Sequence, residues 1–177
     1  MRRIAYLAAA VLLVSSAVSP IAQGQPRTEL VVGLHNAQGE QIGSVMLLEE
    51  ESSGVFIRGK VSKLPPGAHG FHIHAEGKCE PPDFMSAGPH FNPLGKQHGP
   101  KNPAGPHAGD LPNLIVGPDG SAEVNVVASH VTLRTGPQTL VITEGTALVI
   151  HADPDDDTTD PDGSTGARIA CGVIAKK

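Results

Sequence analysis

His72 and His74 stand two residues apart in the run Gly70-Phe71-His72-Ile73-His74. In an extended strand, side chains at i and i+2 share a face, so both imidazoles project together and two metal ligands are already aligned. Alone, such a pair fits a surface or structural role equally well. Its meaning comes from the stretch that follows, where His90, His98, His107 and Asp110 fall within 21 residues among prolines and glycines. Three imidazoles and a carboxylate suit four-coordinate zinc, and a bound ion would supply the order that such a loop lacks.

His151 ends a further apolar run, Ala147-Leu148-Val149-Ile150. With His72 and His74 it makes a third imidazole, and imidazole-only tetragonal coordination suits copper in both of its oxidation states. A loop histidine that lost both ring protons could also join the two metals.

These ligands need a scaffold, and the pattern supplies one made of short strands. Thr28 to His35 and Gln41 to Leu48 flank Asn36-Ala37-Gln38-Gly39, which reads as a hairpin turn. A third strand runs from Val55 to Val61 and stops at Leu64-Pro65-Pro66-Gly67; a fourth carries Phe71 to His74. From Ala75 to Leu111 the alternation lapses, and Pro81, Pro82, Pro89, Pro93, Pro100, Pro103 and Pro106 exclude regular helix and inner strand. Strands resume at Leu114 to Val116 and Ala122 to Val127, around the turn Gly117-Pro118-Asp119-Gly120, then at Thr146 to His151 and Arg168 to Ile174. Seven or eight such strands predict an all-β antiparallel sandwich or barrel. A structureless loop as long as 75–111 is unusual in a compact domain unless something orders it.

The N-terminus reads MRRIAYLAAAVLLVSSAVSPIAQGQ: two arginines, an apolar run from Ile4 to Val14, then small residues. That pattern predicts a secretory signal over residues 1–24, cleaved after Gly24 or alternatively Ala17, followed by a single domain over 25–177. The apolar run is short for a membrane span, so no membrane span is expected. Losing Arg2 and Arg3 would leave 11 basic against 18 acidic residues, a formal −7, which disfavours nucleic acid as a partner. Export, whether to a periplasm, the envelope or the medium, puts the two cysteines, Cys79 and Cys171, where a disulfide persists, although two separate buried thiols fit the count as well.

Gly70-Phe71-His72-Ile73-His74, Gly88-Pro89-His90-Phe91-Asn92-Pro93, Gly109-Asp110-Leu111 and Gly166-Ala167-Arg168-Ile169-Ala170-Cys171-Gly172-Val173-Ile174 together resemble the copper/zinc superoxide dismutases, in order and in spacing, from about Glu29 to Ala175. The resemblance implies an eight-stranded antiparallel Greek-key β-barrel, sandwich-like, with a long metal-binding loop and a second active-site loop. It implies copper on His72, His74, His90 and His151, zinc on His90, His98, His107 and Asp110, and His90 as a bridging imidazolate. It also implies a Cys79–Cys171 disulfide, Arg168 as a guanidinium beside the copper channel where a small anion docks, and Asp155 as the carboxylate linking a copper histidine to a zinc histidine. The reaction implied is disproportionation of superoxide by copper redox cycling, with protection of the extracytoplasmic space. Family members occur as monomers and as dimers of differing geometry, so a homodimer is left open. His69 resembles a structural histidine of the family, while His35 and His130 carry no motif and read as solvated.

One stretch departs from the pattern. Residues 153–162 hold six aspartates and no base precedes Arg168, where family members often carry lysine. Superoxide is an anion, so an acidic rim would weaken long-range steering, unless several of these side chains point away. Two other functions stay open at this point: a metal carrier on the same fold, and an extracellular β-sandwich binding module with structural zinc alone.

Overall fold

A computed structural model describes residues 28–49 and 54–176, so the expected leader and its cleavage site lie outside the described residues. The described residues form nine strands: β1 (Thr28–Asn36), β2 (Gln41–Glu49), β3 (Val55–Val61), β4 (Gly67–His69), β5 (Phe71–His74), β6 (Leu114–Val116), β7 (Ala122–Ala128), β8 (Thr146–His151) and β9 (Arg168–Ile174). Seven form one antiparallel sheet in the order β5-β8-β9-β1-β2-β3-β7, and β4 pairs with β6. β4 and β5 are one path broken at Gly70, so the expected eight strands are present. With β4 and β5 counted as one strand, β6 and β7 follow it in the chain, β4 pairs with β6 and β7 returns beside β3, which is a Greek-key connection. β4 is the strand the sequence pattern missed. Pro66 has no N–H to give, yet pairing resumes at the very next residue, Gly67 opposite Val116.

The β1–β2 turn forms as expected. The Asn36 carboxamide oxygen accepts from the Gln38 and Glu40 N–H groups, and Gly39 takes φ +77°, a left-handed conformation that glycine adopts without strain. Alternating residues point inward: Val32 and Leu34 from β1, Val45 and Leu47 from β2, Val55 and Ile57 from β3, Phe71 and Ile73 from β5. β8 breaks the alternation and is buried at all six positions. Leu148 and Ile150 face the barrel core, whereas Ala147 and Val149 face a second, smaller cluster with Phe84, Ala87 and Cys171. The long loop therefore covers the outer face of β5, β8 and β9 and makes that face an interior.

Three loops carry the rest. Loop 75–113 contains one 3₁₀ turn, Met85–Ala87, and is tied to β9 by the Cys79–Cys171 disulfide, Cα–Cα 5.6 Å. Loop 129–145 is organised by Glu49, buried at the end of β2, whose carboxylate accepts from the Leu133 N–H (2.7 Å) and the Thr132 hydroxyl (2.7 Å). Loop 152–167 folds back over β5 through Gly70 N–H to Asp153 O, 2.8 Å.

The disulfide spans 92 residues, for which chain entropy gives a stabilisation of up to roughly 4–5 kcal/mol. The double substitution Cys79→Ser and Cys171→Ser is expected to lower the urea midpoint of chelated protein accordingly. Coincident unfolding curves for variant and parent would show that the loop is held without the bridge.

Candidate metal centre

The site is built on the outer face of β5 and β8. Phe71 and Ile73 point into the core, so His72 and His74 point outward, opposite Val149 and Ala147 of β8. His151 ends β8 on the same face. The loop then delivers its own histidines along two short backbone contacts, His74 opposite His90 and His72 opposite Asp110. All six histidines of the cluster, His72, His74, His90, His98, His107 and His151, are buried.

Hydrogen bonds fix which ring nitrogens face inward. His72 Nε2 donates to Asp155 Oδ2 at 2.6 Å, leaving the Nδ1 lone pair buried without a partner. His74 Nδ1 donates to Gly88 O at 2.8 Å, leaving Nε2 as acceptor. The Thr165 hydroxyl donates to Asp162 O at 2.9 Å, so its oxygen accepts from His151 Nδ1 at 3.0 Å, and His151 Nε2 is again a lone pair. The nitrogens of His74 and His151 then face each other across 3.2 Å. Two lone pairs repel at that distance, and a cation between them removes the repulsion. His90 Nε2, buried and unpartnered, completes this group, in which all four ligand atoms lie within 4.8 Å of one another.

A second group meets at one atom. The Nδ1 nitrogens of His90, His98 and His107 lie 3.0, 3.2 and 3.3 Å from Asp110 Oδ1. Asp110 Oδ2 is occupied by the Gly99 and His107 backbone N–H groups, 2.9 Å each, which aims Oδ1 at the rings. A tetrahedral ion with bonds of 2.0–2.1 Å separates its ligands by about 3.3 Å, so this spacing fits zinc. His98 Nε2 sits 3.0 and 3.1 Å from the two Asp155 oxygens. One carboxylate thus fixes His72 of the first group and His98 of the second.

The two halves differ in charge. Burial first, then repulsion among neighbouring imidazoles, holds His74 well below its ordinary value, His90 at about 4 and His151 at about 3, all neutral near pH 7. Burial also opposes charge on His98, but Asp110 and Asp155 overcome it and raise that ring to about 10. Both carboxylates are pushed below their usual range: burial works against ionisation, and the surrounding histidine and backbone N–H hydrogen bonds outweigh it. The Asp110 group, with a carboxylate of its own, attracts positive charge, whereas His74 and His151 are held neutral.

An open pocket of about 850 Å³ leads to His74, His90 and His151, with Arg168 on its wall. The guanidinium is anchored by donation to Phe84 O (2.8 Å) and Gly88 O (2.7 Å), and burial pulls its pKa down. Of the six aspartates in 153–162, Asp162 alone lines this pocket, joined by Asp83 from the long loop. Asp155 turns inward, Asp156 caps its own turn through Thr158 and Thr159, and Asp157 pairs with Lys101 at 2.8 Å. The acidic rim read from the sequence is therefore thinner than its composition suggests. His69 lies outside both groups, its ring 2.8 Å from His151 O and from Pro65 O, and His35 and His130 are exposed. Sequence reasoning missed Thr165 and Gly70. A Cβ on Gly70 would lie 2.5 Å from the Thr165 methyl and 3.2 Å from His72, a close approach that its place just before the His-x-His pair hinted at.

Comparison with known proteins agrees with this geometry. Residues 41–174 match the family model for copper/zinc superoxide dismutase. Two proteins of Aquifex aeolicus are similar. Superoxide dismutase [Cu-Zn] 1 is 52% identical over 78% of this chain and 83% of its own length, and superoxide dismutase [Cu-Zn] 2 is 48% identical over 95% of each. Among solved structures, a superoxide dismutase-like protein from Bacillus subtilis superposes with TM-score 0.79 at 42% identity, covering 81% of this chain and 97% of that one. The Cu/Zn superoxide dismutase of Brucella abortus superposes with TM-score 0.67 at 32% identity, covering 83% and 99%. By its family match, its relatives and its fold, the chain belongs to the copper/zinc superoxide dismutase family.

Proposed function

We propose that the protein disproportionates superoxide, two superoxide anions and two protons giving dioxygen and hydrogen peroxide, at a dinuclear centre. His72 Nδ1 with His74, His90 and His151 Nε2 would hold copper; the Nδ1 atoms of His90, His98 and His107 with Asp110 Oδ1 would hold zinc. One observation carries the reading: His90 turns Nδ1 to the Asp110 group and an unpartnered Nε2 to the other. Bound there, copper supplies a one-electron couple and zinc a redox-inert positive charge.

The remaining steps belong to the chain. Arg168, tethered at two nitrogens, presents its remaining donors to an anion in the pocket, which orients superoxide beside His90 and His151. His90 holds or releases a proton at Nε2, on the pocket side, where peroxide needs it. Asp155 keeps His72 and His98 in the tautomers that aim Nδ1 inward. All seven ligands come from one chain, so the reading serves monomer and homodimer alike. The Cys79–Cys171 disulfide and the apolar leader support action outside the cytoplasm, where reductants do not open the bridge. Among the described residues no helix is long and apolar enough to cross a membrane.

Purified protein is expected to hold about one copper and one zinc per chain. His151→Ala should cut activity by roughly a hundredfold or more with zinc retained; full metallation of the parent without superoxide-dependent activity would instead assign a metal carrier. Asp83 and Asp162 offset Arg168 at the mouth, so kcat/KM should change by less than roughly twofold between low and physiological salt. A steep decline on adding salt would show that positive potential elsewhere steers the substrate.

Chelated protein has a pH signature of its own. His74, His90 and His151 are depressed in the fold, so below about pH 6.5 the unfolded chain binds protons that the fold refuses, and stability declines toward pH 4 and 3. Asp110 and Asp155, also depressed, act in the same direction at lower pH. His98 is raised to about 10, so its contribution is complete below about pH 6.5 and disappears as pH climbs to 10. Thermal unfolding should therefore show a maximum near pH 6–7; a steady rise in Tm from pH 7 to 10 would contradict this charge assignment.

A further inference from the structure

We propose that Thr165 is a positioning residue for the copper side, an inference that rests on the metal assignment above. Thr165 is 1% exposed in an acidic loop most of whose residues face solvent. Its hydroxyl proton is committed to Asp162 O at 2.9 Å, which makes its oxygen an acceptor for His151 Nδ1 at 3.0 Å, next to the Gly166 carbonyl as a second acceptor. The hydroxyl sets the tautomer of His151 and aims Nε2 at His74. A chain of three backbone hydrogen bonds also runs from Thr165 through Asp153 and Gly70 to His151. The Thr165 carbonyl accepts from Asp153 N–H at 3.0 Å, Asp153 O accepts from Gly70 N–H at 2.8 Å, and Gly70 O accepts from His151 N–H at 2.8 Å. The Thr165 methyl lies where any side chain at residue 70 would stand. Thr165 thereby links the pocket rim at Asp162, the break between β4 and β5, and the ligand that ends β8. Removing the hydroxyl leaves a single acceptor for His151 Nδ1 and lets the ring turn.

The test compares Thr165→Val, which keeps shape and loses the hydroxyl, with Thr165→Ser, which keeps the hydroxyl and loses the methyl, in the full chain loaded with copper and zinc. Copper affinity is read by competition with a chromophoric chelator, copper geometry by the Cu(II) paramagnetic resonance spectrum, and zinc affinity in parallel. The valine variant should bind copper roughly tenfold more weakly, with an altered Cu(II) spectrum and unchanged zinc affinity, and the serine variant should match the parent. A valine variant with the parent's affinity and spectrum would overturn the proposal. So would equal damage in both variants, or equal loss of zinc, because each would make the role one of packing. If the parent itself takes up no copper at His72, His74, His90 and His151, the metal assignment falls and the proposal with it.

Discussion

The structure depends on buried imidazole nitrogens that converge. Buried nitrogens normally find hydrogen-bond partners, and an unpaired one costs on the order of 1–3 kcal/mol. Here His72 Nδ1, His90 Nε2, His98 Nδ1 and His107 Nδ1 have none. The other nitrogen of His72 and of His98 is held by Asp155, and the far side of His74 and of His151 by Gly88 O and Thr165. A fold that commits the outer nitrogens so thoroughly leaves the inner ones with one satisfactory partner, a cation. The surrounding hydrogen bonds thus act as a selection rule, turning general imidazole chemistry into two defined sets of donors.

The barrel supplies the rigid half of this arrangement. β5 and β8 present three of these histidines on one face, and their other faces are anchored in the core by Phe71, Ile73, Leu148 and Ile150. The loop supplies the other half, and its Phe91, Ala108 and Leu111 join the barrel core. Phe84 and Ala87 pack on Ala147, Val149 and Cys171, and the disulfide pins the loop nearby. Asp155, from loop 152–167, holds His72 of the strand and His98 of the long loop, so both histidine groups are braced by the same carboxylate. This coupling means that disturbance of one half is felt in the orientation of the other.

Much of this was legible in the residues. Period-two alternation and turn glycines located eight of the nine strands, and the spacing of His72 and His74 placed them on one face. The strand at Gly67–His69 was hidden because Pro65-Pro66 reads as a terminator, although only the prolines' own N–H groups are lost to pairing. The direction of each aspartate in 153–162 could not be read from composition, since turn capping by Asp156 and the inward turn of Asp155 are decided by loop conformation. Thr165 escaped notice for the same reason. A threonine in a polar loop carries no signal until the loop has folded and its hydroxyl meets His151.

The candidate ligands are also distributed unevenly along the chain. His90, His98, His107 and Asp110 lie close together in a single loop, and bringing them into one group closes only short segments at modest entropic cost. His72, His74 and His151 meet only after β5 and β8 have paired across most of the domain. The two halves therefore differ in how much of the chain must be in place before each is formed. A local, carboxylate-bearing pocket can capture its ion while the chain is still condensing. The group of His72, His74 and His151 exists only where β5 and β8 are paired in this register, and so serves as a structural report that these two strands of the barrel are in place.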